Sequence, residues 1–345
     1  MIKVVVIGFG KMGIFHSALF NSHHKIVVKA VLETDKRMLK MFSSLNDKIK
    51  TYSDVNTLIE EEEFDCVVIT TPQHLHLDIL EKFNEKLIYS FIEKPLMHST
   101  KDLIKYNIVK NNLAKCIIGY YMRFHPTFNY VKKILEDKVI GEVKSYNGKH
   151  FIESVSNKIS GWRSDKEKAG GGALITNASH LIDLLYWYFG SPRKVCGKSQ
   201  HIHNDNVEDS FYGILEHENM IGNIEADWSR ATYRVPYTSI NIYGEKGEIV
   251  VDNDAVDMTL YLKSKGLSEG RHLHEATSLY KGQYFDIGGI EYSIQANNFI
   301  KFIMNDDLGD LCNFEQAVDV QYIIEALYDS NDNSSMLNEV SKFNE

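Results

Sequence analysis

The chain has 345 residues, 43% of them apolar, with 38 Lys and Arg against 47 Asp and Glu for a formal charge of −9. At roughly 150 residues per domain, this length predicts about two domains with filled cores, which excludes a disordered tail or a small disulfide scaffold. An acidic balance without a basic stripe excludes nucleic acid and anionic lipid as partners. Cys66, Cys116, Cys196 and Cys312 are too widely spaced for a CxxC pair or a metal cluster, so they read as reduced thiols and no metal is expected. The opening MIKVVVIGFGKMG lacks a basic stretch and a cleavage site, and no run of 18 apolar residues follows. A cytoplasmic protein without a membrane span is expected.

Residues 2 to about 119 alternate Val- and Ile-rich runs with amphipathic segments. The runs Ile2–Ile7, Ile26–Leu32, Cys66–Thr70, Leu87–Ile92 and Cys116–Ile118 read as strands buried on both faces. Between them, one-sided apolar sets predict helices: Ile14, Ala18 and Leu19; Met38 and Phe42; Val55, Leu58 and Ile59; Leu77, Leu80 and Phe83; Leu103, Ile104 and Ile108. The alternation predicts an α/β domain over 1–119, a doubly wound parallel sheet.

After about residue 120 the rhythm changes. Helices are predicted near Pro126 and over Ala173 to Phe189, and antiparallel strands over Gly141 to Phe151, Ser210 to Leu215, Ile221 to Trp228 and Thr238 to Tyr243, with a turn at Gly244 to Gly247. This predicts an α+β domain over 120–345. Helical periodicity returns over Glu291 to Met304 and Phe314 to Ser330, helices expected to pack back on the first domain, before a polar turn at Asp329 to Ser335.

The glycines of GFGKMG follow the first strand and open the first helix. Gly8 permits a tight turn, Gly10 lets backbone approach a pyrophosphate, Gly13 allows close helix packing, and the helix start offers free N–H groups. Glu33, 20 residues after Gly13, ends the second strand and suits the ribose hydroxyls of NAD rather than the 2′-phosphate of NADP, although Arg37 stands near. A solvated strand-end carboxylate is the plain alternative. Expected cofactor contacts are Gly8, Phe9, Gly10, Lys11, Met12, Gly13 and Glu33, with Thr71, Pro72 and His76 from the loop TTPQHLH, and Glu93 with Lys94. His74 and His76 read equally as ordinary loop histidines.

Lys94, in EKP, closes a buried strand where open α/β sheets bind ligands. Burial and a neighbouring positive nicotinamide favour the neutral amine, which can take a proton from a hydroxyl while hydride leaves the same carbon. Further on, Gly170, Gly171 and Gly172 remove side chains where a ligand or another backbone must come close. The helix after them is expected to set Thr176 and His180 one turn apart on one face, with Asn177 and Asp183 flanking. That stripe reads as ligand-facing or as a satisfied core histidine.

Together these segments resemble the Gfo/Idh/MocA oxidoreductases, the family of glucose-fructose oxidoreductase and inositol dehydrogenase. The resemblance rests on GFGKMG at 8–13, TTPQHLH at 70–76, EKP at 93–95, YYMRFHP at 120–126, GWR at 161–163, the glycine-to-HLID segment at 170–183 and GEKGEI at 244–249. It implies a Rossmann domain followed by a domain with a large open, mainly antiparallel sheet, whose outer face makes the contact of a homodimer or homotetramer. It also implies Lys94 and His180 as an acid/base pair. Many active members carry Asp, and some Asn, four residues before that histidine, where this chain has Thr176.

The resulting expectation is an NAD-dependent dehydrogenase acting on a secondary hydroxyl of a sugar, sugar nucleotide or cyclitol. Arg123, His125, Trp162, Arg163, Thr176, Asn177 and His180 are the expected substrate contacts, because sugar sites combine multidentate polar groups with a flat aromatic surface. An NAD-retaining glycosidase and a non-catalytic NAD-binding regulator are the alternatives.

Overall fold

Valines at positions 4, 5 and 6 are fully buried in the first strand, as a strand covered on both faces requires. That strand, β1 (Ile2–Ile7), joins β2 (Ile26–Leu32), β3 (Lys50–Tyr52), β4 (Cys66–Ile69), β5 (Tyr89–Ile92) and β6 (Cys116–Ile118) in a parallel sheet. Its order is β6-β5-β4-β1-β2-β3, and the short strand Cys312–Asn313 adds antiparallel to β6. The winding reverses between β1 and β4, so the carboxyl ends of these two strands open the crevice where such sheets take ligands.

The computed structural model describes residues 1–45, 48–83, 86, 88–105, 113–154, 161–280, 282, 286–332 and 337–343. Contacts divide the chain into two units, Met1–Tyr120 with Gln283–Ala317 and Tyr121–Gly282 with Val318–Glu345.

In the first unit, helices Lys11–Asn21, Lys36–Leu45, Val55–Glu61 and His76–Glu81 lie where one-sided apolar sets were expected. Asp54 caps the third of them by accepting the Thr57 N–H at 2.9 Å. Strand β3 escapes sequence reading because KTY is short and polar. Leu87 and Ile108 lie outside the described residues, and the described part of the expected helix around Leu103 is a 3₁₀ turn, Thr100–Lys105. Helix Ile290–Asn305 also belongs to this unit, with Tyr292 against Phe15 and Phe299 against both Phe20 and Phe91. Helix Phe314–Asp332, by contrast, belongs to the second unit from Val318 onward. Asp329 to Asp332 are helical rather than a turn, and Asn333 to Ser335 lie outside the described residues.

The second unit is built on β7 (Val143–Phe151), β8 (Lys194–Gln200), β9 (Ser210–Glu216), β10 (Ile221–Asp227), β11 (Tyr237–Gly244), β12 (Gly247–Asp252), β13 (Ala255–Leu260) and β14 (Gly270–Glu275). They run in the order β14-β13-β12-β11-β7-β10-β9-β8, with Asn338–Glu339 at the far edge, and every pair is antiparallel except β7 with β10. Burial alternates along the strands, so one face is packed and the other open. Strands β8 and β12 to β14 were not anticipated; β8 (KVCGKSQ) and β14 (GRHLHE) offer few apolar residues, while β12 and β13 are short but bury Ile249, Val251, Val256, Met258 and Leu260. Helix Ser179–Phe189 covers the packed face, and Gly148 of β7 makes room for Leu181, whose Cδ1 would lie 3.0 Å from an added Cβ.

Candidate functional site

The crevice of the first unit is shaped by its glycines. Gly8 takes a left-handed φ of +86°, and a Cβ there would lie 2.8 Å from the backbone nitrogen and Cγ2 of Thr71. A Cβ at Gly13 would run into the Gly8 carbonyl oxygen, so this glycine serves helix packing. Gly10 is different: it is exposed, has ordinary backbone angles, and nothing lies within 4 Å of the place its Cβ would take. It caps helix Lys11–Asn21 without a side-chain bond, leaving the N–H groups of the first turn for a ligand. Lys11 is exposed and Met12 half-buried beside it.

Glu33 does more than was expected. One carboxylate oxygen accepts the Phe9 N–H at 2.8 Å and the other accepts the N–H groups of Thr34 at 2.7 Å and Asp35 at 3.0 Å. The acid therefore clamps the glycine loop to the end of β2. The Phe9 ring is 4% exposed and packs edge-on against Phe42 at 4.5 Å, so only its backbone is left for a cofactor. Arg37 is exposed on the helix after β2.

On the next rim loop, Thr70 Oγ1 donates to the Gly8 carbonyl at 2.5 Å, while Thr71 Oγ1 is buried without a hydrogen-bond partner. An orphaned hydroxyl, an uncapped helix start and the open space at Gly10 fit a dinucleotide. Pro72 is half-buried in the same loop. His76 corrects its expectation. It is fully buried, its ring nitrogens lie 2.9 Å from the Thr71 carbonyl and 3.1 Å from the Leu96 carbonyl, and burial holds its pKa below the usual value. It ties two loops together instead of meeting a cofactor.

Beyond β5, the Glu93 N–H continues the ladder to the Ile69 carbonyl at 2.8 Å, and Lys94 follows, half-buried and before a cis peptide to Pro95. Glu93, expected at the cofactor, turns into the unit: one oxygen lies 2.7 Å from His16 Nε2 and the other accepts the Lys94 N–H at 3.2 Å.

The second unit carries the other group. Leu174–Ala178 is a π-helical turn where an α-helix was expected, and the α-helix starts only at Ser179, one residue before His180. A turn widened in this way changes which side chains share a face, so the one-turn stacking of Thr176 on His180 is replaced by this local geometry; such turns cluster at functional sites. The turn is held by Glu208, whose carboxylate accepts the N–H groups of Gly172 at 2.7 Å and Leu174 at 3.0 Å and the Tyr328 hydroxyl at 2.7 Å. Burial pushes the Glu208 carboxyl up, against these three donors. Here the glycines find their reason: a Cβ at Gly172 would strike the Glu208 carbonyl oxygen, and one at Gly171 the Tyr328 hydroxyl. Their close approach is to protein.

His180 is 5% exposed and meets the edge of Tyr121 at 4.4 Å between centroids. Thr176 and Asn177 are half-buried on the π turn. Arg123, expected on a substrate, is instead 1% exposed and paired with Asp183. His125 is half-buried at the start of helix Pro126–Glu136, where Thr127 Oγ1 donates to the Asp252 carbonyl at 2.7 Å and so accepts from His125 Nδ1 at 2.9 Å. Trp162 and Arg163 share a 3₁₀ turn, Gly161–Ser164, with the exposed guanidinium 4.7 Å above the indole. Tyr121, Glu208, Tyr328 and His16 were missed. Only Tyr121 carried a signal, through YYMRFHP. Among the described residues, no group of three or more His, Cys, Asp or Glu could hold a metal, and no helix is long and apolar enough to cross a membrane.

Comparison with known proteins matches residues 2–115 to a family model described as oxidoreductase family, NAD-binding Rossmann fold, and residues 128–250 to the GFO/IDH/MocA C-terminal domain. Levoglucosan dehydrogenase of Pseudarthrobacter phenanthrenivorans is 27% identical over 204 residues, 55% of this chain and 51% of that protein. The chain thus spans about half the length of this curated relative, as it does for an uncharacterized oxidoreductase of Synechocystis sp., of which it covers 52%. A 2,7-anhydro-N-acetylneuraminate hydratase of Mediterraneibacter gnavus is 26% identical over 305 residues, 83% of this chain and 78% of the hydratase. In fold, the chain resembles a levoglucosan dehydrogenase solved with NADH and L-sorbose, with a TM-score of 0.86, 22% identity and full coverage of both chains.

Proposed function

Since the chain belongs to the Gfo/Idh/MocA family of NAD-binding oxidoreductases, we propose that it transfers hydride between NAD and a secondary hydroxyl or ketone of a sugar, sugar nucleotide or cyclitol. The observation that carries this reading is the position of Lys94: a half-buried residue just past the carboxyl end of β5, on the same sheet edge as the Gly8 loop and the orphaned Thr71 hydroxyl. When bound, NAD supplies the hydride acceptor or donor.

The chain's own residues do the rest. Backbone N–H groups at Gly10 to Gly13 bind the pyrophosphate, and Glu33 accepts from the ribose hydroxyls while it holds the loop. Lys94 Nζ, as the neutral amine, takes the hydroxyl proton during oxidation and, as the ammonium, returns it during reduction. His180, which meets Tyr121 ring to ring, is the second acid/base residue that the family resemblance implies. Asn177, Trp162 and Arg163 bind the remaining hydroxyls, while Thr176 provides a hydroxyl where an acidic side chain would otherwise raise the basicity of the pair. The open face of the second sheet carries Tyr212, Ile214, Ile221, Tyr243, Val250 and Leu273, each 42–53% exposed, and we assign a homodimer or homotetramer to it.

A panel of sugars, sugar nucleotides and cyclitols, each with NAD and NADP and read at the NADH absorbance, tests the reading. Net NADH production on one of them supports it, and Lys94→Ala should then lower turnover by about 10²- to 10⁴-fold with NAD affinity within a few-fold. Wild-type turnover in Lys94→Ala removes the lysine from the chemistry. A second reading, an NAD-retaining glycosidase, predicts substrate consumed without net NADH, and that outcome would select it; the match to a hydratase, whose named reaction involves no net oxidation, favours it. Tight NAD binding without turnover on any compound would select the regulator.

A further inference from the structure

We propose that His16 is a positioning residue for the reaction, holding Glu93 so that Glu93 holds the chain at Lys94. The proposal rests on the reading of Lys94 as the proton acceptor. His16 lies on the second turn of the helix that opens at the glycine loop, is 1% exposed, and is surrounded by Phe15, Phe20 and Phe91 at ring distances of 5.2, 6.0 and 5.1 Å. An imidazole and a carboxylate among aromatic rings are costly to bury, and two apolar side chains of the same volume would fill the space as well. The pair must therefore be explained by what it fixes.

What it fixes is the backbone that carries the proposed base. His16 Nε2 lies 2.7 Å from Glu93 Oε1, and Glu93 Oε2 accepts the Lys94 N–H at 3.2 Å. Gly119 of the neighbouring strand end leaves room for this rotamer, since its added Cβ would already touch Glu93 Oε1 at 3.4 Å and Phe91 at 3.3 Å. Burial pushes the Glu93 carboxyl up, but the bond and charge of His16, with the charge of Lys94, hold it below its usual value, so it stays an acceptor. On the far side His76 binds the Leu96 carbonyl, so the segment carrying Lys94 is fastened at both ends by buried histidines. The link runs from the nucleotide-binding helix to the proposed base through two side chains.

The test compares His16→Leu, His16→Gln, Glu93→Gln and Lys94→Ala with wild type, reading melting temperature, NAD affinity, kcat and KM. His16→Leu and Glu93→Gln should lower kcat on the order of ten- to a hundredfold with NAD affinity and KM within about threefold, and His16→Gln, which keeps an N–H donor, should recover most of the loss. In a Lys94→Ala background, His16→Leu should cost nothing further. A readout without turnover uses reductively ¹³C-methylated lysines: the Lys94 methyl resonance, identified by its loss in Lys94→Ala, should shift or broaden in His16→Leu, or in Glu93→Gln if His16→Leu does not fold. Wild-type kcat and an unmoved resonance in these variants, beside a disabled Lys94→Ala, overturn the positioning alone. Wild-type turnover in Lys94→Ala overturns the lysine's role and the positioning with it.

Discussion

Arg123 and Asp183 form a two-point ion pair with both side chains 1% exposed, Nε to Oδ2 at 2.9 Å and Nη2 to Oδ1 at 2.6 Å. The pair joins the 3₁₀ turn that presents Tyr121 to the helix that presents His180, so its first effect is on the place of those two rings. Removing one partner leaves a buried charge alone. Arg123→Met or Asp183→Asn should cost about 3–5 kcal/mol in urea unfolding, and Arg123→Lys should also lose stability because an ammonium cannot bridge both oxygens. An Arg123→Lys protein of full stability but raised KM would return the arginine to the substrate.

The glycines of the first loop should separate binding from folding. Gly10→Val places a side chain in open space where the proposed site puts the pyrophosphate, so the protein should fold with an unchanged melting temperature and lose NAD affinity sharply. Gly13→Val should fail to fold, since its side chain meets the Gly8 carbonyl. Calorimetric NAD binding that survives in a folded Gly10→Val would sink the site.

Glu33 should set the choice of cofactor. A carboxylate beside a 2′-phosphate repels it, so NAD should bind at least about tenfold tighter than NADP, a difference of about 1.4 kcal/mol. Because the same carboxylate holds the Phe9 N–H, Glu33→Ala should narrow that gap and also weaken NAD. Equal affinities in the wild type would hand the choice to Arg37.

His125 should make the second unit sensitive to acid. Burial pulls its pKa from 6.5 down to about 4. The unfolded chain then takes up a proton near 6.5 that the native state refuses until about 4, so stability present above 6.5 is lost as pH falls toward 4, by at most about 3 kcal/mol from this group. His217, drawn down to about 4 by the same cause, adds to the slope. Urea midpoints across that window should fall, and His125→Gln should flatten part of the fall; an unchanged slope would contradict the buried neutral imidazole.

The parallel sheet, the turn at Gly8 and the placing of Lys94 at a strand end were legible in the sequence because each depends on neighbours a few residues away: a run of Val and Ile, a left-handed φ, a helix start. The partners of the polar residues were not. Gly172 meets Glu208 across 36 residues, Arg123 meets Asp183 across 60, His16 meets Glu93 across 77 and Tyr328 meets Glu208 across 120. In a string of letters, an arginine kept for a ligand and one spent on a buried carboxylate look alike, and glycines cleared for a substrate look like Gly171 and Gly172, cleared for a tyrosine and a carbonyl. Only the tertiary structure decides between them, because a buried polar group is satisfied by whatever the fold brings within about 3 Å, and sequence separation carries no record of that distance.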